Sequence, residues 1–270
     1  KEIDWWENPS MDLVPLLKRD KSIKLEVIDV SGEIGCLRFN CLIPPFDNPK
    51  FRQVVLAAMN QQDCMQAVAG AVPELIKTDV GIFVPGTPMA STVGIEHTHQ
   101  YMHMDKLKKD LVAAGYKGEK IVVLSATTIP IIHAIAEVAV SFVRQLGFNV
   151  DNQELEWGTV VQRRAKRGPI SEGGWSIFHT TGPVTGWNNP AVSPLVGGQG
   201  EQGWFGWWKS EAADQMAAEW IAATDPAEQK KIALAAGRLA LDQVATVPLG
   251  QFFLQTAFRK SITGILDRKS

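Results

Sequence analysis

The chain has 270 residues, 45% of them hydrophobic and 21% charged, with 27 Lys and Arg against 29 Asp and Glu. A net charge of −2 leaves no cationic excess to release counterions from phosphates, which argues against a nucleic-acid partner. No run approaches the ~18 apolar residues of a spanning helix, and the length allows one or two domains with a sizeable core.

The opening KEIDWWENPS has neither the apolar region nor the small-residue cleavage site of a signal peptide, and it reads as the interior of a longer chain. Residues 23–30 alternate Ile23, Leu25 and Val27 and predict a strand; GCLRFNCLI follows as a second extended segment. Cys36, Cys41 and Cys64 allow at most one internal disulfide. Cys36 and Cys41 fall on opposite faces of an extended segment, so buried free thiols are expected. In PPFDNPKFRQVVLAAMNQQD, Asp47 or Asn48 can cap a helix and Pro49 suits its first position, while Val54, Val55, Ala58 and Met59 form an apolar stripe. A shorter helix over 63–69 ends at Gly70.

His97, His99 and His103 lie in a Gly-, Pro- and Thr-rich stretch. Three imidazoles could bind zinc, but no acid or cysteine stands in a supporting role, so a solvated loop is expected. DKLKKDLVAAGY predicts a helix from Asp105 to Gly115, and KIVVLSA a β-branched strand. Residues 129–146 predict a long helix, with Ile131, Ile135, Val138, Phe142 and Leu146 at three- and four-residue steps and Gly147 as its stop. A strand in FNVDNQELEW completes a right-handed βαβ unit with parallel strands. WGTVVQRRAKR continues as a helix; its cluster Arg163, Arg164, Lys166 and Arg167 reads as a solvated face, able at most to steer an anion.

GWSIFHT predicts the next strand and leads into a neutral loop: residues 173–200 contain no Asp, Glu, Lys or Arg. Trp175, Trp187, Trp204, Trp207 and Trp208 lie in or beside that stretch. Large aromatics are usually core, but Trp187 stands between Gly186 and Asn188-Asn189-Pro190, where a loop on an α/β scaffold can hold a ligand. GQGEQG matches a dinucleotide-binding pattern by letter yet lacks the flanking strand and helix, and no G-x-S-x-G elbow supports nucleophilic catalysis. Two helices follow, the second with Asp225, Pro226 and Glu228 as cap, first residue and capping-box acid. TVPLGQFFLQTAFRKSITGIL closes the chain as extended structure. The fold class is α/β with a mixed sheet.

Several of these segments together resemble one family. LRFNCLIPPFDNPKFRQVVLAAMNQQD is similar to the N-x-x-x-P-P-F-D-(N/D)-x-x-x-R-Q-A stretch of family 5 extracellular solute-binding proteins, the dipeptide/oligopeptide-type receptors of ABC importers. DKLKKDLVAAGY resembles their helix ending in A-G-Y, and AEVAVSFVRQLGFNVDNQELEWGTVVQRR their following helix, strand and W-x-x-x-x-x-R unit. WFGWWKSEAADQM and VATVPLGQFF fit the family's late segments in the right order.

The resemblance implies a type II, cluster C periplasmic-binding-protein fold, represented by its C-terminal portion. Residues 1–30 would be a first-lobe remnant and hinge, 31–240 the distal ligand-binding lobe, and 241–270 return strands to the first lobe. Trp5, Phe252 and Phe253 would then be short of partners. It implies no catalysis and no cofactor or metal. The implied role is binding a small solute, peptide-like or another neutral polar compound, in a cleft that closes by hinge motion. Delivery would be to ABC permease subunits, from the periplasm of a Gram-negative cell or the extracellular face, touching the membrane only through the permease. Ligand contacts are expected from Trp187, Thr180, Thr181 and Asn188, with Asn189, His179 and Asn40 beside them. Peptide-binding members carry an Asp near a D-P pair in this loop; here the pair is Asn189-Pro190, which argues against a free-amine peptide. The rival readings are an α/β hydrolase and a receptor-fold partner module without a transport role.

Overall fold

The computed structural model describes residues 3–70 and 72–264; the outermost parts of both terminal segments, 1–2 and 265–270, lie outside the described residues. Two sheets organise the chain. β3 (Glu33–Phe39), β4 (Ile76–Lys77), β5 (Lys120–Ala126), β6 (Asn149–Leu155), β7 (Ile177–Pro183) and β8 (Thr246–Phe252) form a six-stranded sheet in the order β4-β8-β3-β7-β5-β6. β1 (Trp5–Glu7), β2 (Ile23–Val27) and β9 (Gln255–Arg259) form a three-stranded antiparallel sheet with β9 central.

The helices start and stop where local chemistry requires; α1 (Val14–Arg19) lies beside the small sheet against β2. α2 (Pro49–Ala58) is capped by Asn48, whose side chain accepts from the Lys50 amide at 3.0 Å, so of the two candidate caps Asn48 is the one used. α3 (Gln61–Ala69) ends at Gly70 and α4 (Met104–Ala113) just before Gly115. α5 (Pro130–Leu146) ends on Gly147 at φ 103°, a left-handed conformation that favours glycine. β5, α5 and β6 form the expected parallel βαβ unit. α6 (Trp157–Arg163) follows β6 directly, capped by Glu156. α7 (Glu211–Ala222) and α8 (Pro226–Gln243) pack on each other, with Asp225 accepting from the Glu228 amide.

α3 and α5 cover one face of the large sheet; α6 and the 195–208 segment carry aromatic rings onto the other. Gly35 shows why the first layer is close: a Cβ there would meet the Ile135 side chain at 2.8 Å. Buried cations tie the layers together. Arg52, 4% exposed, donates to the carbonyls of Phe46 and Asp47 and to those of Gln243 and Val244 at the C-terminus of α8, where a positive charge is favourable. Arg38, fully buried, donates to the Phe205 carbonyl at 2.9 Å and the Thr246 hydroxyl at 2.7 Å, and burial lowers its pKa to about 10.

Two expectations are corrected. Residues 241–270, expected as return strands to the first lobe, instead divide between the two sheets. β8 pairs with β3 inside the large sheet and only β9 joins the small one, because the chain crosses between sheets at Phe253–Leu254. Phe252 is accordingly fully buried, and Phe253 is 9% exposed. Trp5 stacks on Phe258 across β1 and β9, with ring centroids 5.2 Å apart. All three cysteines are free thiols, with Cys36 and Cys64 buried. Among the described residues no helix is long and apolar enough to cross a membrane.

Candidate functional site

The C-terminal ends of β5, β6 and β7 point the same way, toward the crossing to the small sheet. Glu33 pairs with Pro183 there, and α5 and α6 begin there. In open α/β sheets this is where ligands are held. Successive residues of β7 alternate faces. His179 and Thr181 lie on the α5 side, opposite Leu37 and Gly35; Phe178, Thr180 and Gly182 lie on the aromatic side.

The aromatic side forms a continuous wall. Trp187 lies against Gly182 so closely that a Cβ there would stand 2.2 Å from the indole ring; only glycine admits this placement. Trp187 meets Trp204 edge-on at 5.8 Å, and Trp204 meets Phe178 at 5.7 Å. The Arg38 guanidinium lies over Trp204 at 5.0 Å. Below them Trp175, fully buried, contacts Phe178 and Trp207 and donates its indole N–H to the Arg164 carbonyl at 3.1 Å. At the far end Arg164 lies over Phe205, Trp157 and Phe178 at 4.5, 5.3 and 5.5 Å.

Trp187, Thr180 and Asn188 remain at or beside this wall. Thr180 is 6% exposed and donates to the Thr181 carbonyl; Trp187 and Asn188 are half-buried. Thr181 is half-buried but on the opposite face, so the two threonines do not present their side chains to one surface. Asn189 is spent on the loop: its Oδ1 accepts from the Ala191 amide at 3.0 Å, and its Nδ2 donates to Asn188 Oδ1 at 2.9 Å.

Two expected contacts are inside the protein. Asn40 is fully buried, donates to the Trp175 carbonyl and accepts from the Leu42 amide, and so has no free polar atom for a ligand. His179 is 1% exposed beneath α5, and neither ring nitrogen has a partner among the described residues. Burial pushes its imidazole down to about 3, so it is neutral at physiological pH. The sequence grouped these residues by proximity to the loop; the strand's two-residue period and the depth of the sheet separate them.

Trp157, Trp204, Phe205 and Arg164 belong to the same wall, which the sequence reading did not assemble. Trp204 lies beside the neutral stretch and Arg164 within a basic cluster, but nothing local joins residues 157–164 to 204–205. The cluster is not one solvated face. Arg163 donates to Gln153 and the carbonyls of Gly173 and Gly174, and Arg167 pairs with Glu201 at 3.3 Å. His97 and His99 turn to different acids, Asp242 at 3.5 Å and Asp79 at 3.3 Å.

A groove of about 610 Å³ opens elsewhere, between α2, α4 and α8, lined by residues such as Val54, Leu107 and Leu241. A smaller hollow of about 250 Å³ lies where the two sheets meet, lined by Trp5, Gly32, Glu33 and Leu254 among others. The wall stands next to this second hollow through the Glu33–Pro183 pair.

Residues 1–191 match the model of bacterial extracellular solute-binding proteins, family 5, middle region. The chain belongs to this family. A relative from Sinorhizobium fredii (strain NBRC 101917 / NGR234), named "Probable peptide ABC transporter periplasmic-binding protein", is 34% identical over 268 residues, 98% of this chain and 50% of the relative. The chain therefore spans about half the length of the curated relative it matches. The family 5 chain is similar in fold to an ABC transporter substrate-binding protein of Listeria monocytogenes, with TM-score 0.80 and 14% identity over 96% of this chain and 51% of the other. It is likewise similar to a dipeptide-binding protein of Pseudoalteromonas sp. SM9913 in complex with Met-Leu, with TM-score 0.74 and 21% identity over 97% and 51%. These likenesses give the family 5 chain the fold of about half of a type II periplasmic-binding protein.

Proposed function

We propose that the full-length protein is the substrate-binding component of an ABC importer, held outside the cytoplasmic membrane in the periplasm or at the extracellular face, and that this chain contributes one side of its ligand cleft. Peptides are the class that the Sinorhizobium fredii relative is named for. Permease subunits are the partners that role requires, and no chemistry is needed on the ligand. The observation that carries the reading is the half-buried Trp187–Trp204 pair, backed by the buried Phe178, beside residues 173–200, which contain no carboxylate. Aromatic faces bind a ligand by area and stacking, while a neutral loop avoids burying an unpaired charge when the cleft closes.

Because Asn189 stands where peptide-binding members carry an acid, an ammonium would find only amide dipoles here. Desolvating it costs several kcal/mol, and hydrogen bonds to a charged group return about 1.5–3 kcal/mol each. We therefore expect N-acetyl-Met-Leu to bind the full-length protein more tightly than Met-Leu, and Trp187→Ala to weaken it about tenfold or more, the scale of one lost aromatic contact. Asn189→Asp should raise the affinity for Met-Leu. Isothermal titration of wild type and both variants checks this. Tight Met-Leu binding that is indifferent to Trp187→Ala would sink the reading of the wall as the ligand surface.

A further inference from the structure

The aromatic side of the large sheet carries several arginines, and they differ in what compensates their charge. Arg38 donates to a carbonyl and a hydroxyl, Arg163 to three acceptors, and Arg167 to Glu201. Arg164 has none of these. Its Nε is buried without an acceptor, and its Nη groups make no hydrogen bond or ion pair among the described residues. It is held by rings instead, over Phe205, Trp157 and Phe178 at 4.5–5.5 Å, within the range of cation–π attraction.

Its position adds to this. Trp157 is the first residue of α6, immediately beyond β6, and its amide donates to Thr128 at the head of α5. The Arg164 side chain runs back along α6 to that ring, and so toward the strand ends where the Trp187 wall stands. Burial in part disfavours the charged form of Arg164, so the fold keeps a guanidinium partly desolvated and without a counter-ion. A structural strut would be satisfied as its neighbours Arg163 and Arg167 are.

We propose that Arg164 is the anion-binding residue of the cleft, taking a carboxylate of the ligand on its Nη edge while Trp187 and Trp204 hold the apolar part. The planar fork of a guanidinium matches a carboxylate with two parallel hydrogen bonds, and aromatic contacts fix its plane in advance. This rests on the wall being the ligand surface. With a free cation on the wall and no carboxylate in the adjoining loop, the favoured ligand end is an acid rather than an amine.

Two probes differing only in that group test it: N-acetyl-Met-Leu and its C-terminal amide, titrated calorimetrically into the full-length protein. Wild type should bind the acid about 10- to 100-fold more tightly, the scale of one charge-assisted hydrogen-bond pair. Arg164→Gln should abolish that preference by weakening the acid and sparing the amide; Arg164→Lys, which keeps the charge but not the fork, should retain part of it. Unfolding midpoints of both variants are measured alongside, since a strut would lower the midpoint without changing the preference. No binding of the acid, equal affinity for the two probes, or an acid preference that survives Arg164→Gln overturns the assignment. If the probes bind equally and Trp187→Ala weakens both, only the role of Arg164 falls. If Trp187→Ala leaves both unchanged, the wall falls with it.

Discussion

The six-stranded and the three-stranded sheets are both built from short, apolar-rich strands, yet they are finished differently. Every residue of β8 is buried, and β3 is buried from Ile34 to Phe39 between α3 and α5 on one side and aromatic rings on the other. In the small sheet no residue of β1 or β2 is fully buried, and large apolar groups such as Ile3, Leu16 and Ile28 are exposed nearby. A layer covered on two sides gains both hydrophobic burial and tight packing; a sheet with one helix beside it gains much less. In a protein whose relatives are about twice as long, we infer that the small sheet completes its packing against the remainder of the full-length molecule.

Substitutions in the full-length protein can break or sharpen that contrast. The largest expected difference is between two tryptophans. Trp175→Ala should cost about 3–5 kcal/mol, as large core truncations do, whereas Trp5→Ala, if Trp5 has only its Phe258 contact, should cost about 0.5–1.5 kcal/mol. Denaturant unfolding of both variants measures it, and equal losses would mean the remainder of the protein buries Trp5 as deeply as Trp175. Arg52→Met should come next: it leaves the carbonyls of Gln243 and Val244 without their donor, a loss of about 1.5–3 kcal/mol for hydrogen bonds to a charged group.

A pH series isolates the covered layer in another way. His179 has a folded pKa of about 3 against an ordinary value of 6.5, so below 6.5 the unfolded chain takes a proton that the folded chain refuses. Stability is therefore lost as pH falls from about 6.5 toward 3, by about 1.4 kcal/mol per pH unit from this group. His179→Leu should flatten the wild-type slope by that amount between pH 6 and 4; an unchanged slope would mean that His179 is protonated in the folded protein. The smallest effect belongs to the exposed ion pair of the small sheet. Asp4→Asn removes the partner of Arg259 at 2.6 Å and should change stability by about 1 kcal/mol or less, decreasing further with salt.

Local structure was legible because its causes are local. Pro49 behind Asn48, Gly147 after Leu146, and Asp225 before Pro226 each set a helix end through groups within a few residues, and the alternation or periodicity between them specified strand or helix. The motif segments named the family for the same reason: they are contiguous. The loop bearing Trp187 could be singled out from its neutrality alone.

The assembly of the site had no such signal. Arg38 meets Thr246 across 208 positions, and Asn40 meets Trp175 across 135, so whether each is a ligand contact or a buried tie depends on which strands become neighbours. Composition and spacing determined the α/β class, the order of elements and a neutral, tryptophan-bearing loop. Only the tertiary structure decided that His179 faces α5 while Thr180 faces the rings, that Asn40 and Asn189 are consumed internally, and that Arg164, alone among the arginines of its cluster, is left without an acceptor among the described residues. The reason is physical: burial and hydrogen-bond satisfaction are properties of the packed sheet, whose register joins distant segments, and no window of sequence contains them.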